Sequence, residues 1–261
     1  MNPLWPPAPF ESSTAVGRRL YYKEETGSTQ ADLRELALRG AKDGTVVVAD
    51  YQNAGRGRGS NKWLAPKGCC LLFSWLARFP APMSFASRFT MLSALAVADA
   101  LGAIGVEAGI KWPNDLTVGD RKICGILTEM VADGNKVDFA LIGIGLNVNL
   151  VEEDLPNELR RMATSVAMEI GGESDRGALL AEVLGNIDER YAALKSGWNP
   201  VQEWKRRMIT LGEVVCVNVG GDRICGTAED VGEHGELVLR KPDGDSVEVW
   251  SGLVEVVRLR A

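Results

Sequence analysis

Asp50-Tyr51-Gln52-Asn53-Ala54-Gly55-Arg56-Gly57-Arg58-Gly59-Ser60-Asn61-Lys62-Trp63 follows directly on the apolar run Thr45 to Ala49. A strand thus delivers the chain into a loop where three glycines alternate with two arginines, and a lysine and a tryptophan close the run. Glycine has no Cβ, so its backbone can wrap closely around a ligand. Arginine is a permanently charged fork of donors that matches phosphate oxygens. Tryptophan offers a face to a flat ring such as a purine. The run reads as a loop that closes over a nucleotide-like anion. A disordered RNA-binding segment and a solvated hairpin loop share the same composition. It is not a Walker A loop, because no Gly-Lys-Ser/Thr follows the glycines. Nor is it a dinucleotide fingerprint, since polar residues follow rather than an apolar helix start.

The 261 residues are 46% hydrophobic, enough for a large core plus a small satellite domain. A net charge of −6 argues against general nucleic-acid binding, which leaves a basic footprint. Arg56 and Arg58 are then a local positive feature suited to a small anion. Cys69, Cys70, Cys124, Cys216 and Cys225 form an odd set without a Cys-x-x-Cys pair. They read as buried free thiols in a reducing compartment rather than a zinc site. Met1 to Phe10 is proline-rich, with no basic region, and no run of ~18 apolar residues suggests a membrane span. A cytoplasmic protein away from membranes is expected. His234, the only histidine, sits in Gly232-Glu233-His234-Gly235 and reads as a surface turn residue. A Ser-His-Asp triad or a multi-histidine metal centre is thereby excluded.

Outward from the loop, Ser28 or Thr29 can cap a helix through Ala31 to Leu38, with Gly40 as its stop. Thr45–Asp50 and Cys69–Leu76 predict strands. Ala86–Ile104 predicts a long helix with Phe89, Leu92, Ala96, Val97, Ala100 and Ile104 at core spacing. Val106–Trp112, Lys122–Met130 and Val137–Val148 predict three further strands. Thr164 or Ser165 caps a short helix ending at Gly171, and Asp175–Lys195 and Val201–Met208 predict two more. From Leu211 the pattern turns into short alternating runs, Val214–Val219, Arg223–Glu229, Glu236–Leu239 and Ser246–Val249, separated by glycine turns. The reading is an α+β chain: a domain over residues 1–209, whose residues 1–18 are an irregular arm, and a separate antiparallel barrel over 210–261.

Two more motifs carry chemistry. Lys111-Trp112-Pro113-Asn114-Asp115-Leu116 places an amide and a carboxylate at a strand end, because Pro113 removes a ladder donor. Such a pair can read a purine edge and hold magnesium near phosphates, although Asn-Asp is also a common turn pair. Lys122 opens the next strand, where Gly125 leaves room for a ligand; a plain strand-edge charge is the alternative. Gly143-Ile144-Gly145-Leu146-Asn147 reads either as small residues that let a ligand lie flat on a sheet, with Asn147 at its end, or as a glycine bulge.

Taken together, Ser28-Thr29-Gln30, Gln52, Gly55-Arg56-Gly57-Arg58, Trp63, Lys111 to Leu116, Lys122 with Gly125-Ile126-Leu127, Gly143-x-Gly145-x-Asn147 and Thr164-Ser165 resemble biotin protein ligases in order and spacing. The match spans roughly residues 20 to 261. The resemblance implies a mixed central sheet packed with helices, as in class II aminoacyl-tRNA synthetases, plus a C-terminal SH3-like β-barrel. It implies ATP and biotin as substrates, Mg2+, and a biotin carboxyl carrier protein or domain as partner, and admits a monomer or a homodimer. Ser28, Thr29, Gln30, Gln52 and the backbone at Gly57 and Arg58 would hold biotin, with Gly125 beside it. Arg56 and Arg58 would close over its carboxylate and the α-phosphate, Gly55 belonging to the same nucleotide loop, and Lys122 would bridge those two groups. Trp63 would pack on the adenine, with Asn114 and Asn147 near its base and ribose, and Asp115 would place magnesium or the incoming lysine.

The chemistry suits these residue types. Carboxylate and ATP repel, and a cation ~4 Å from a phosphate oxygen is worth roughly 4 kcal/mol at an effective dielectric of about 20. The loop departs from the usual bacterial Arg-Gly-Arg-Lys-Trp continuation: Gly59-Ser60-Asn61-Lys62-Trp63 stands here, closer to the eukaryotic form, and Asn61 removes a cation. Two alternatives remain. Lipoate-type ligases or acyltransferases generally lack the Lys-Trp-Pro-Asn-Asp motif. Biotin-responsive regulators carry an N-terminal helix-turn-helix, for which the residues before Ser28 are too few, so no DNA partner is expected.

Overall fold

The computed structural model describes residues 15–59, 61–80, 82, 85–133, 136–250 and 252–256. Most of the irregular arm expected over 1–18 therefore lies outside the described residues. β1 (Leu20–Thr26), α1 (Thr29–Leu38) and β2 (Val46–Gln52) open the chain, and β1 and β2 pair in parallel. β3 (Cys70–Ala77), β4 (Gly109–Lys111), β5 (Asp115–Val118), β6 (Arg121–Asp133) and β7 (Lys136–Asn147) complete a seven-stranded sheet of order β1-β2-β3-β7-β6-β5-β4. Its other pairings are antiparallel, so the sheet is mixed.

Both faces of the central strands are covered, which explains their unbroken apolar runs. Val46 and Val48 of β2, with Leu71, Phe73 and Trp75 of β3, point into the main core. There they meet α2 (Ala86–Ala103) and α4 (Arg176–Lys195), and Trp75 packs edge-on against Phe89 and Tyr191. Val47 points the other way, joining Leu33 and Ala37 of α1. Two short helices, α3 (Val166–Ile170) and α5 (Val201–Arg206), flank α4. Ser165 caps α3 and Gly171 ends it in the left-handed conformation, as the sequence predicts. Ile104 is exposed rather than buried, because α2 ends one residue before it.

Three elements differ from expectation. β1 escapes the sequence pattern because it is a sheet edge whose face is mostly exposed, with no apolar alternation. The strand expected over 106–112 shrinks to β4, and Asp115 begins β5 rather than projecting from a strand end. The C-terminal sheet, β8 (Val214–Val219), β9 (Asp222–Val231), β10 (Leu237–Arg240), β11 (Ser246–Val249) and β12 (Leu253–Val256), has five strands in the order β11-β10-β9-β8-β12. Its apolar interior, Val215, Val217, Leu237 and Leu239 among others, is continuous with the main core.

Two cysteines also differ from the free-thiol reading. Cys216 and Cys225 stand directly opposite each other on β8 and β9 and form a disulfide, whereas Cys69, Cys70 and Cys124 are free. Ladder pairing across a hairpin is invisible to a count of cysteines. Among the described residues no helix is long and apolar enough to cross a membrane.

Candidate active site

The register of the longest hairpin makes the floor of the site. β6 and β7 place Gly125 directly opposite Gly145, and Leu127 opposite Gly143. The indole of Trp63 occupies the room those glycines leave. A Cβ added to Gly145 would stand 2.6 Å from the ring, and one on Gly125 would stand 2.9 Å from the ring and 3.0 Å from the Lys122 amine. Glycine is needed here for close approach, not for unusual dihedrals. Trp63 Nε1 is buried without a hydrogen-bond partner. Trp63 lines both a cavity of about 350 Å³ and a neighbouring one of about 440 Å³.

The first cavity has a polar end built where α1 begins. The Thr29 N–H donates to Gln52 Oε1 at 2.7 Å, and the Thr29 hydroxyl donates to the same oxygen at 3.1 Å. Gln30 donates both amide hydrogens to strand carbonyls, Leu127 O and Leu141 O, each at 3.1 Å. Ser28 precedes α1 with its side chain making no capping bond, although serine is a favoured capping residue.

The cationic end is set by β5 and β6. Lys122 Nζ lies 2.7 Å from Asp115 Oδ1 and 5.5 Å from the Trp63 ring centroid. Arg56 pairs with Glu129 at 3.0 Å, and Glu129 also receives Arg34 at 3.3 Å. Arg58 Nη1 donates to the carbonyl of Gly252, just before β12, at 3.0 Å. Burial holds the Arg58 guanidinium below its usual pKa, while the charge of Asp115 pulls the other way. A half-buried cation whose bond goes to a neutral carbonyl is well suited to an incoming anion.

The loop is a closed hairpin rather than an open strap. Trp63 N–H donates to Gly55 O at 3.0 Å, Gly57 N–H to Asn61 O at 2.8 Å, and Asn61 N–H to Arg58 O at 3.2 Å. Asn61 thus closes the turn through its backbone.

Most of the sequence-derived site residues line one cavity: Ser28, Thr29, Gln30, Gln52, Arg56, Gly57, Arg58, Trp63, Asn114, Asp115, Lys122 and Gly125. Gly55 does not line it; its Cα packs against the Trp63 carbonyl, which a Cβ would approach to 2.7 Å. Asn147 lines the neighbouring cavity instead. Its Nδ2 donates to Thr164 O at 2.9 Å, and its Oδ1 accepts from the Cys70 thiol at 3.6 Å. Asn114 Nδ2 is likewise committed, to Ile126 O at 2.7 Å. Gly143 and Lys111, which belong to motifs read from the sequence, also line the first cavity, as do Ser74 and the C-terminal Gly252 and Val254, which no motif contains. Of those three, Ser74 alone left a local signal, as a hydroxyl inside an apolar strand. His234 lies in the expected turn but is half-buried rather than free at the surface, stacked on Trp250 with ring centroids 6.2 Å apart, in a cleft that also contains Arg58 and Asn114.

Comparison with known proteins agrees with this geometry. A model of the biotin/lipoate A/B protein ligase family matches residues 22–147. The bifunctional ligase/repressor BirA of Bacillus subtilis is 34% identical over 244 residues, covering 92% of this chain and 75% of the relative. The biotin–acetyl-CoA-carboxylase ligase of Mycobacterium tuberculosis is 32% identical over 253 residues, covering 93% and 90%. The structure of the Aquifex aeolicus biotin protein ligase in complex with biotin and ATP superposes with a TM-score of 0.78 at 31% identity, covering 93% of this chain and all of that one. By sequence and by fold, the chain belongs to the biotin/lipoate A/B protein ligase family.

Proposed function

We propose that the chain is an ATP-dependent biotin protein ligase, forming biotinyl-5'-AMP with release of pyrophosphate and passing biotin to a lysine of a carboxylase carrier domain. The observation that carries the reading is the cavity itself. A polar end at Thr29 and Gln52 suits a ureido ring, and a cationic end at Lys122 and Arg58 suits a carboxylate beside a phosphate. Between them lies a glycine floor under an indole.

In the first step a biotin carboxylate oxygen attacks the α-phosphorus of ATP, and the bond to the β-phosphate breaks. Lys122 sits where charge concentrates on both anions, and Arg58 would exchange the Gly252 carbonyl for phosphate oxygen, a stronger charge-assisted bond. The mixed anhydride hydrolyses readily, so the hairpin of Gly55–Trp63 has a second duty in keeping water away. In the second step the carrier lysine amine attacks the acyl carbon and AMP leaves. No protein nucleophile is needed.

Magnesium would supply charge neutralisation on the phosphates. Asp115 is the carboxylate at the cavity, and among the described residues no group of three His, Cys, Asp or Glu could hold a metal unaided. A lone carboxylate fits the oxygen-ligand chemistry of Mg2+, and Asp115 would be the residue that holds it. We place the protein in the cytoplasm, where ATP is abundant, and assign the catalytic unit to residues 1–209 and the small β unit to 210–261. The acidic balance supports a ligase without a DNA partner, so a gel-shift with operator DNA at physiological salt should show no complex. The purified protein, ATP and a carrier domain should yield carrier heavier by one biotinyl group in mass spectrometry. No added mass would sink the proposal.

A further inference from the structure

Ser74 interrupts the apolar run of β3, Cys70-Leu71-Leu72-Phe73-Ser74-Trp75, and is fully buried at the cavity floor opposite Gly143. A buried hydroxyl is costly unless it is bonded. Ser74 Oγ lies 2.8 Å from Thr29 Oγ1, and the direction of that bond follows from its surroundings. Gln52 Oε1 carries no hydrogen, and the Thr29 backbone N–H, which can only donate, holds it at 2.7 Å. The Thr29 hydroxyl stands 3.1 Å from that oxygen, so its single proton points there. Ser74 must then donate to Thr29. Both acceptor directions of Gln52 Oε1 are filled, and its Nε2 is left as a donor end. Gln30 has the opposite polarity: both its hydrogens are spent on Leu127 O and Leu141 O, leaving Oε1 as an acceptor 3.1 Å from where a Cβ on Gly143 would stand. One donor amide and one acceptor amide at the same end of a cavity complement a ring that offers a carbonyl beside an N–H.

We infer that Ser74 is a positioning residue for ring recognition: by donating to Thr29 it locks that hydroxyl onto Gln52 and so fixes the amide polarity that meets the ureido group. The inference rests on the biotin reading of this cavity. With alanine at 74, Thr29 becomes a free rotor and its acceptor is left buried and unpaired.

The test is ATP–pyrophosphate exchange by the full chain and by Ser74→Ala and Ser74→Cys, the latter similar in volume with a weaker donor. The probe is the guanidino analogue of biotin, which replaces the ureido oxygen by a donor. In Ser74→Ala the KM for biotin should rise about tenfold, with the KM for ATP moving less than about twofold. The ratio of the analogue's Ki to the biotin KM should fall about tenfold, because a mobile amide no longer rejects a donor. Ser74→Cys should fall between, and it decides the matter if the alanine variant does not fold. An unchanged ratio, or equal rises in both KM values, overturns the inference. Wild-type protein that releases no pyrophosphate from biotin and ATP would instead refute the biotin reading itself.

Discussion

In the proposed mechanism the first half-reaction depends on Lys122. It is paired with Asp115 at 2.7 Å while remaining more than a third exposed, so the pair contributes little to folding and is free to rearrange. Lys122→Ala is therefore expected to abolish pyrophosphate release from ATP and biotin while far-UV circular dichroism stays unchanged; near-normal release would remove Lys122 from the mechanism. Arg58 has a different duty, because it joins the hairpin to the segment before β12. Arg58→Gly deletes that tie and, in the proposed mechanism, one phosphate donor with it. The variant should leak biotinyl-adenylate, seen as biotin on lysines of an unrelated bystander protein. Strict selectivity for the carrier would argue against a closing hairpin.

The β6–β7 hairpin shows what regular structure adds to these residues. Gly125 and Gly145 are twenty positions apart in sequence, yet the antiparallel register sets them face to face beneath Trp63. Gly145→Ala keeps an ordinary strand conformation but pushes a methyl into the indole, which must tilt away. An increase in the KM for ATP of roughly tenfold is expected, with about 1–3 kcal/mol lost in urea unfolding from overpacking. An unchanged KM for ATP would show that Trp63 does not meet the nucleotide. The same element scale explains how Asn114, at the first cavity, and Asn147, at the neighbouring one, are held. Both sit where strands end, and their amides first satisfy the carbonyls of Ile126 and Thr164.

At the scale of the molecule, the C-terminal sheet is part of the core rather than an appendage. Trp112 is buried between the two sheets, its N–H accepted by Thr210 Oγ1 at 3.0 Å and its Nε1–H by Gly235 O at 2.8 Å. The Ile209 N–H donates a further backbone bond to Ile110 O at 2.9 Å. Residues Lys111 to Asp115 are thereby held from the C-terminal side. Unfolding in urea, followed in parallel by near- and far-UV circular dichroism, should give one coincident transition. Two separated transitions would mean that the sheets fold independently.

What the sequence determined alone was local: glycine-arginine composition, apolar periodicity, helix caps and the order of the motifs. Those depend on side-chain chemistry within a few residues, and they sufficed for the helices, the central strands and most cavity residues. Strand register, by contrast, pairs positions far apart in sequence, so only the tertiary structure could set Gly125 against Gly145, Cys216 against Cys225 and Ser74 under Thr29. The same holds for Arg58, whose partner Gly252 lies 194 residues away. An edge strand such as β1 lacks the burial that writes a pattern into sequence. Polarity at the floor of the cavity was likewise invisible, because which atom of Gln52 faces a ligand is decided by neighbours that only the fold brings within hydrogen-bond reach.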